Sequence, residues 1–428
     1  MLAHLLPALP ADCQPCLLDS ADGSGPSFLG LWPRTVVWAS GGRCVREEGG
    51  AAVDVPAPDP FAFLQAELDR HGGRAMGWLG YDLGRWVEPY PARLAADLPL
   101  PDLWFALFDQ VAVLERGALR TADAALRRLW QRSTPGPVAA PPATRFTSAF
   151  TRAEYHAAVR TVLQHVRDGN LFQANLSQPF SGPLPLPPRQ LFARGAHITP
   201  APFAAYLEPD PEHAVLSFSP EEFLRIDGGV VRTQPIKGTR PRHDAPDLDQ
   251  RSADELRHSA KDLAELTMIV DLLRNDLGKV ARFGSVAVGP FPELATFAQV
   301  HHLYATVTAQ QRPDVSVVDV VRAAFPGGSI TGAPKPRAMQ VIEELERVRR
   351  GVYTGAIGWL DASGAAHLNV AIRTLLVAGG QARFSVGGGI VAASTPAGEF
   401  DETLIKARGL AATLGAQLVD ASGAPLSA

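Results

Sequence analysis

The stretch Val231-Arg232-Thr233-Gln234-Pro235-Ile236-Lys237-Gly238-Thr239-Arg240-Pro241-Arg242 decides how the rest of the chain is interpreted. Pro235 and Pro241 fix φ and disfavour a helix, and Gly238 adds backbone freedom between them. The pattern therefore predicts the end of a strand followed by a rigid turn with an exposed backbone. Most lysines are solvated surface residues. Lys237, however, follows an apolar strand and precedes a threonine and two arginines that could bind a carboxylate.

The composition is that of a large folded protein. The chain has 428 residues, of which 46% are hydrophobic and 20% charged, enough for one large domain or two to three small ones. Its net charge of -4 gives no basic surface for nucleic acid or for an anionic membrane. We therefore expect neither of these as a partner.

The sequence also predicts a cytoplasmic protein. No run approaches the roughly 18 apolar residues of a membrane span, and residues 1–10 lack the basic start of a signal peptide. Cys13, Cys16 and Cys44 are too few for a disulfide framework in a chain of this length. Cys13 and Cys16 form a Cys-x-x-Cys, but no second pair follows, so we interpret this pair as incidental.

Helical and strand patterns alternate irregularly along the chain. This mixture favours an α+β fold over a doubly wound parallel sheet. Apolar spacing and capping residues predict helices at 61–71, 152–167, 252–273, 316–324, 334–349 and 396–414. A stretch rich in Pro and Ala divides the chain into an N-terminal region (1–132), a linker (133–146) and a second region (147–420).

Two predicted helices carry paired carboxylates. Asp262 and Glu265, and likewise Glu399 and Glu402, are three residues apart and so share a helix face. Four carboxylates between two helices would suit Mg²⁺, which prefers oxygen ligands and takes few of them from the protein. Acids near a helix start also complement the helix dipole, so each pair alone has a purely structural interpretation.

Two glycine-rich runs follow. The run 325–335 is not a phosphate-binding P-loop, because Ala333 stands where the lysine is required. It predicts instead a turn of exposed N–H groups that leads into a helix opening at Pro334, which would favour an anion. The run Gly387-Gly388-Gly389 predicts a second turn with unhindered backbone amides.

The run 235–242 resembles the signature of the chorismate-utilising enzymes, and within them the aminodeoxychorismate synthase component I branch. The related anthranilate synthase component I has a small residue, typically alanine, at the position of Lys237. Further motifs extend the resemblance over about 147–415, and more weakly over the N-terminal third. It implies a large two-sheet core with flanking helices, into which the N-terminal region is woven, so that the linker becomes a crossing.

The resemblance also implies roles for individual residues. Glu265 and Glu402 would ligate Mg²⁺, while Asp262 and Glu399 would support the metal site. Glu221 would assist departure of a hydroxyl, and His302 would lie near that hydroxyl. The residues implied to bind substrate are Thr239, Ser329, Tyr353, Arg373, Gly387, Gly389 and Lys406.

Two positions bear on the reaction. Relatives that add water to chorismate have a lysine base where this chain has Gln173, so we expect an amine nucleophile. Lys237 then favours amination at C4 over C2, through a covalent adduct of the lysine at C2. Anthranilate synthase remains the enzymatic alternative, and a non-catalytic chorismate-binding protein is the second.

The expected partners follow from this reaction. The chain has no cysteine in a nucleophile-elbow context, so ammonia would come from a separate glutamine amidotransferase subunit. The segment Leu17-Leu18-Asp19-Ser20 resembles part of a tryptophan pocket found in some relatives. Tryptophan is therefore a possible second ligand.

Overall fold

The structure is a computed structural model that describes residues 1–134, 136, 138–296 and 300–426. Residues 135 and 137 of the predicted linker lie outside this part of the chain. The helices are α1 (Pro60–His71), α2 (Ala124–Arg132), α3 (Arg152–Arg167), α4 (Pro188–Ile198), α5 (Pro246–Arg257), α6 (Ala260–Gly278), α7 (Val317–Ala324), α8 (Lys335–Leu345) and α9 (Pro396–Leu414).

The strands of the first half are β1 (Cys16–Asp19), β2 (Ser27–Gly30), β3 (Thr35–Ser40), β4 (Arg43–Glu48), β5 (Ala51–Asp54), β6 (Arg74–Leu79), β7 (Leu103–Phe108), β8 (Ala112–Glu115), β9 (Ala118–Arg120), β10 (Thr144–Ser148), β11 (Gln173–Pro183), β12 (Phe203–Asp210) and β13 (His213–Ser219). Those of the second half are β14 (Glu222–Asp227), β15 (Val230–Gln234), β16 (Ile236–Pro241), β17 (Ala287–Val288), β18 (Glu293–Thr296), β19 (Val300–Tyr304), β20 (Val307–Gln310), β21 (Gly332–Ala333), β22 (Ala356–Asp361), β23 (Ala366–Val370), β24 (Thr374–Ala378), β25 (Gln381–Ile390) and β26 (Ala416–Val419).

Two large sheets and one small sheet organise these strands. The first sheet runs β26-β10-β11-β25-β24-β13-β12-β1-β2-β8-β9, with β21 paired to β11. The second runs β17-β20-β15-β14-β23-β22-β6-β7-β3-β4-β5. The small sheet runs β16-β19-β18 and carries Lys237. Strands from residues 1–132 thus form one end of each large sheet.

The core has three apolar layers. One lies between the first sheet and α3, α4 and α9, with Phe192 and Leu404 fully buried. A second lies between the second sheet and α1, α6 and α7. The third joins the two sheets, where Trp78 stacks on Trp104 with ring centroids 5.0 Å apart. This arrangement confirms the α+β architecture with a two-sheet core. No described helix is long and apolar enough to cross a membrane.

Several predicted elements differ from those observed. The single helix predicted at 252–273 is two helices, because Ser259 caps the start of α6 by accepting from the Asp262 N–H. The helix predicted at 334–349 ends at Leu345. The predicted turn around Lys237 is instead strand β16, with its register shifted at Gly238, whose φ is +71°.

The prediction of a turn at Gly387-Gly388-Gly389 is also wrong. Gly387, Gly388 and Gly389 continue β25 and pair with Ser177, Leu176 and Asn175 of β11. The run 327–333 does form a turn, but it is buried and not exposed. Close packing between β25 and β11 explains why glycine occurs in this strand. A Cβ at Gly387 would lie 2.6 Å from the Leu176 carbonyl oxygen.

Candidate active site

Lys237 lies where the small sheet meets α6. It is partly buried on β16, opposite Leu303 of β19. The next residue is Gly238, and a Cβ there would lie 2.8 Å from Cγ of Asp262 in the first turn of α6. Glycine at this position therefore lets the strand that carries Lys237 pack directly against the acidic start of the helix.

The neutral form of the Lys237 amine is more favourable in this site than it is in water. Burial lowers the pKa of Lys237, and this effect outweighs the opposing carboxylates of Glu265, Glu221 and Glu402. The nearby ammonium of Lys406 lowers the pKa further. Charged groups from α6, α9 and the start of β14 thus converge on one side chain.

Glu221 is the buried acid of this group. Its residue is 7% exposed and precedes β14. Burial raises the pKa of Glu221, and the Ser329 hydroxyl, the charge of Lys237 and the Ile236 N–H only partly offset it. A carboxyl group in this setting holds its proton to higher pH than usual, as a general acid requires.

His302 forms a second group with the neighbouring strand. Its Nδ1 lies 2.9 Å from Oγ1 of Thr239 and 3.3 Å from the Gly238 carbonyl oxygen. A carbonyl can only accept, so we assign the proton to Nδ1. Burial lowers the pKa of His302, and the charge of Arg373 lowers it further, which places that guanidinium nearby. The surroundings of His302 therefore favour the neutral imidazole.

Arg373 connects β23 to β24 in the left-handed region, with φ +49°. Its backbone carbonyl accepts from the Phe218 N–H, which holds the bend against β13. Burial lowers the pKa of Arg373, and no carboxylate in the described residues compensates it. A desolvated guanidinium without its own counter-ion is suited to bind an anionic ligand.

Two carboxylates of α9 meet above Gly388. A Cβ at Gly388 would lie 3.1 Å from Oε2 of Glu399 and 3.4 Å from Oε1 of Glu402. Glu399 is buried; Ser394 donates to its Oε1 at 2.5 Å, but its Oε2 has no hydrogen-bond partner among the described residues. Burial and the neighbouring Glu402 raise the pKa of Glu399. In the sequence, only its place within the run of three glycines points to Gly388.

Lys406 is one turn after Glu402 on α9. Its ammonium lies 2.7 Å from Oε1 of Glu402 and donates to the Gly387 carbonyl at 2.9 Å. Although burial opposes the shift, Lys406, Lys261 and Lys237 lower the pKa of Glu402, so this carboxylate is ionised. The lysine also ties α9 to the glycine run of β25.

The acids of α6 are arranged differently. Arg240 donates to Asp262 at 3.2 Å, so this carboxylate is already ion-paired. Burial raises the pKa of Glu265, and the charges of Asp262 and Glu402 add to it, against Lys237 and Lys261. The carboxylates of α6 and α9 are therefore close enough to affect one another's ionisation. Within the described ranges, however, no three His, Cys, Asp or Glu side chains are grouped closely enough to hold a metal ion.

Gly389 faces Gln173 across the strand pair. A Cβ at Gly389 would lie 2.6 Å from Nε2 of Gln173. Gln173 is fully buried, and neither atom of its amide has a hydrogen-bond partner in the described part of the chain. Such a group is costly unless something else bonds it, which makes Gln173 a candidate ligand contact.

Tyr353 is buried in the loop before β22. Burial raises the pKa of its hydroxyl. Burial raises the pKa of the Tyr155 hydroxyl, and Glu399, Tyr353 and Glu402 raise it further. The structure thus gathers Lys237, Glu221, Ser329, Glu265, Glu402 and Lys406 most closely, with Thr239, His302 and Arg373 beside them.

A separate cavity of about 580 Å³ lies between the two large sheets. Leu18, Asp19 and Ser20 line it, as do the ring of Trp359 and the guanidinium of Arg74, which stacks 4.0 Å from that ring. The Asp19 carboxylate already accepts from backbone N–H groups of residues 2 and 3. None of the predicted catalytic residues lines this cavity.

Comparison with known proteins adds to this geometry. The model of the chorismate binding enzyme family matches residues 14–412. The chain belongs to this family. Aminodeoxychorismate synthase component 1 of Salmonella typhimurium is 42% identical, with 82% of this chain and 77% of that protein covered. Anthranilate synthase component 1 1 of Haloarcula marismortui is 40% identical over 78% of this chain and 74% of that protein.

A solved structure supports the fold of this chorismate binding enzyme. Anthranilate synthase component I from Streptococcus pneumoniae superposes with a TM-score of 0.79 and 28% identity. The superposition covers 91% of this chain and 92% of that one. The two-sheet architecture is therefore that of the family.

Proposed function

We propose that this chain is the chorismate-aminating subunit of an aminodeoxychorismate synthase, which forms 4-amino-4-deoxychorismate from chorismate and ammonia. The observation that carries the proposal is the partly buried Lys237, whose pKa burial lowers and which faces Glu221. The similarity to the Salmonella protein of that name supports it.

The proposed reaction has two displacements. The neutral amine of Lys237 attacks C2 of chorismate, both ring double bonds shift by one position, and the C4 hydroxyl leaves as water with the proton of Glu221. Ammonia then attacks C4, both double bonds shift back, and the C2–lysine bond breaks. The Glu221 carboxylate takes back a proton from the new ammonium group. The sum is chorismate plus ammonia giving aminodeoxychorismate plus water.

The other predicted residues would hold the substrate for these steps. Arg373 would bind one carboxylate, since its guanidinium has no compensating acid in the described residues. His302 and Thr239, which bond each other, would face the departing hydroxyl. Ser329, Tyr353, Lys406 and the backbone of Gly387 and Gly389 complete the proposed contacts.

Magnesium fits the acidic side of the site. The unpartnered Oε2 of buried Glu399 and the space above Gly388 would accept a hard cation. Mg²⁺ keeps several waters and needs few protein ligands, so we propose Glu265 and Glu402 as ligands, with Asp262 and Glu399 supporting them. When bound, the ion would neutralise a carboxylate of the substrate.

Two further parts of the proposal concern partners. We propose that a glutamine amidotransferase subunit supplies the ammonia in a cytoplasmic enzyme, with ammonium salts replacing it in vitro. We also propose the cavity beside Leu18 as the place for a tryptophan, whose ring would lie near Trp359 and Arg74. Calorimetry with tryptophan tests the latter directly, and absence of heat would exclude it.

Anthranilate synthase activity is the second candidate, favoured by the similarity to the Haloarcula protein. A product assay separates the two. Purified chain is incubated with chorismate, Mg²⁺ and an ammonium salt, and pyruvate release and product mass are followed. We expect a product in which an amine replaces a hydroxyl, without pyruvate. Pyruvate with a fluorescent aromatic amine would establish anthranilate synthesis, and chorismate binding without any turnover would leave a binding protein.

A further inference from the structure

A turn in the N-terminal region is hydrogen-bonded to the loop that precedes Tyr353. This turn, Gly80-Tyr81-Asp82, follows β6. The Tyr81 N–H donates to the Gly351 carbonyl at 2.7 Å, and the Gly351 N–H donates to Oδ2 of Asp82 at 2.9 Å. The backbone carbonyl and the backbone N–H of Gly351 are thus both hydrogen-bonded, one to Tyr81 and the other to Asp82. Gly351 has φ +60°.

The two arginines that precede Gly351 make further contacts with the turn. Arg349 approaches Oδ1 of Asp82 at 3.2 Å and donates to Asp102 at 2.9 Å. The guanidinium of Arg350 lies 4.6 Å from the centre of the Tyr81 ring. Asp82 is 4% exposed and Arg350 is 3% exposed, so the contact of Arg350 with the Tyr81 ring is made away from solvent, where it is strongest.

Arg350 carries the contact on to the candidate active site. It donates to the carbonyl of Ile330 at 2.9 Å and to the carbonyl of Asn175 at 2.8 Å. Ile330 follows Ser329, the residue beside Glu221, and Asn175 pairs with Gly389 of β25. One guanidinium therefore fixes two backbone segments that line the site.

Glu346 completes the arrangement. It accepts two hydrogen bonds from Arg350 Nε and Nη2 at 3.0 and 2.7 Å, and the hydroxyl of Ser177 donates to it at 2.7 Å. Glu346 would still pair the charge of Arg350 if the Tyr81 ring were removed. The loss would therefore affect the position of the guanidinium and would not leave its charge unpaired.

We propose that Tyr81 and Asp82 are positioning residues for the reaction: the N-terminal turn holds the Arg350 guanidinium and the Tyr353 loop, and through them the Ser329 and Asn175 segments that receive chorismate. This inference rests on the proposed function. The residues touch no reacting atom; they act through Arg350 and Gly351. The N-terminal region thereby contributes to substrate binding and not only to the sheets.

The test compares Asp82→Asn, Tyr81→Leu and Tyr81→Phe with Asp109→Asn, an exposed acid of the same region that pairs with Arg34. Steady-state constants for chorismate and for ammonium are measured well below each variant's Tm. We expect Asp82→Asn and Tyr81→Leu to lower kcat/KM for chorismate by about 10- to 100-fold, with the KM for ammonium unchanged. Tyr81→Phe keeps the ring under Arg350 and should rescue most of the loss.

The alternatives are distinguishable. Variants that lose Tm but keep wild-type constants for chorismate would show a merely structural turn and overturn the proposal. Equal losses in Tyr81→Phe and Tyr81→Leu would do the same. If Asp82→Asn does not fold, the Tyr81 pair decides alone. Failure of the proposed function would appear differently, as a wild-type product other than aminodeoxychorismate.

Discussion

At position 237 the chain carries a lysine whose charge its surroundings control. If the amine forms a bond to the substrate, Lys237→Ala should lower amination by ~10²-fold or more, because the side chain that forms the bond is removed. Product formation with ammonium measures the loss, and mass spectrometry of quenched wild-type enzyme should detect a chorismate-derived adduct on this residue. Lys279→Ala, which removes a lysine paired with Asp276, is the matched control.

The pH dependence of the same step has a defined sign. Burial lowers the pKa of Lys237, so the reactive neutral form increases as pH rises through a value below its ordinary 10.5. Unchanged turnover in Lys237→Ala would contradict the covalent route, and a wild-type-like adduct in that variant would place the bond on another side chain.

Glu221 and Glu222 are neighbours with opposite expected effects on stability. The raised pKa of Glu221 means that its ionisation costs folding free energy, a cost absent below the unfolded pKa of about 4.5 and complete above the folded value. Glu221→Gln should therefore raise Tm at pH 7, with the gain vanishing towards pH 4, while activity falls by ~10²-fold.

Glu222 is the internal control for this argument. Burial opposes it, but His367 and Arg232 lower the pKa of Glu222, so its stabilising effect is present above the unfolded pKa and is lost as pH falls through the folded one. Glu222→Gln should lower Tm at pH 7. Thermal melts of both variants from pH 4 to 8 check the signs. A lower Tm for Glu221→Gln at pH 7 would show that ionised Glu221 does not destabilise the fold.

Individual residues were predictable from the sequence to different degrees. Spacing placed the acids of α6 and α9 on shared helix faces, and the family resemblance selected Lys237 and Glu221. Gly388, the unpartnered amide of Gln173 and the role of Arg350 were not predictable, because each depends on which strand or loop lies opposite. The run of three glycines is the one signal for Gly388, and its composition predicts a turn where the structure has a strand.

At the scale of elements, β25 and α9 form the acidic side of the site together. Gly388→Ala would place a methyl group 3.1 Å from Oε2 of Glu399, where we propose the cation to be held. We expect the Mg²⁺ concentration for half-maximal activity to rise by about 10- to 100-fold. Glu402→Gln should abolish the Mg²⁺-dependent activity.

The control for Gly388→Ala is Gly278→Ala, since nothing lies within 4 Å of a Cβ at that helical glycine. Both variants are titrated with Mg²⁺ at saturating chorismate, and their Tm values are recorded. An unchanged Mg²⁺ response in Gly388→Ala, or full activity of Glu402→Gln without metal, would remove the metal assignment from α9.

Helix boundaries were predicted well where caps and apolar spacing agree. The prediction at 152–167 coincides with α3, whose Thr151 and Glu154 form a capping box, and α9 begins and ends as predicted. The break between α5 and α6 is not visible in the apolar pattern, which continues through it. The break depends on Ser259, which caps the start of α6. The pairing of β25 with β11 was beyond the sequence, since the two strands are distant in the chain, whereas β24 and β25 are joined by a short hairpin.

At the scale of the molecule, the two regions share both sheets. β1 pairs with β12, and β6 pairs with β22, so residues 1–132 cover a long edge of each sheet formed by the second region. Without these strands, β12 and β22 would expose unpaired backbone groups and the apolar layer that contains Leu207 and Ile357. The sheets thus depend on both parts of the chain.

This dependence predicts how the chain responds to division. A protease site inserted after Gly136, in the predicted linker, should allow cleavage without separation, because the sheet hydrogen bonds and the layer between the sheets hold the two pieces together. The nicked protein should elute as one species and melt in one transition. A fragment of residues 137–428, which keeps all of β10, should lack a cooperative melt when expressed alone, whereas co-expression with residues 1–136 should restore it. A cooperative, active fragment would instead show that the second region is an autonomous domain and that the N-terminal turn is dispensable to it.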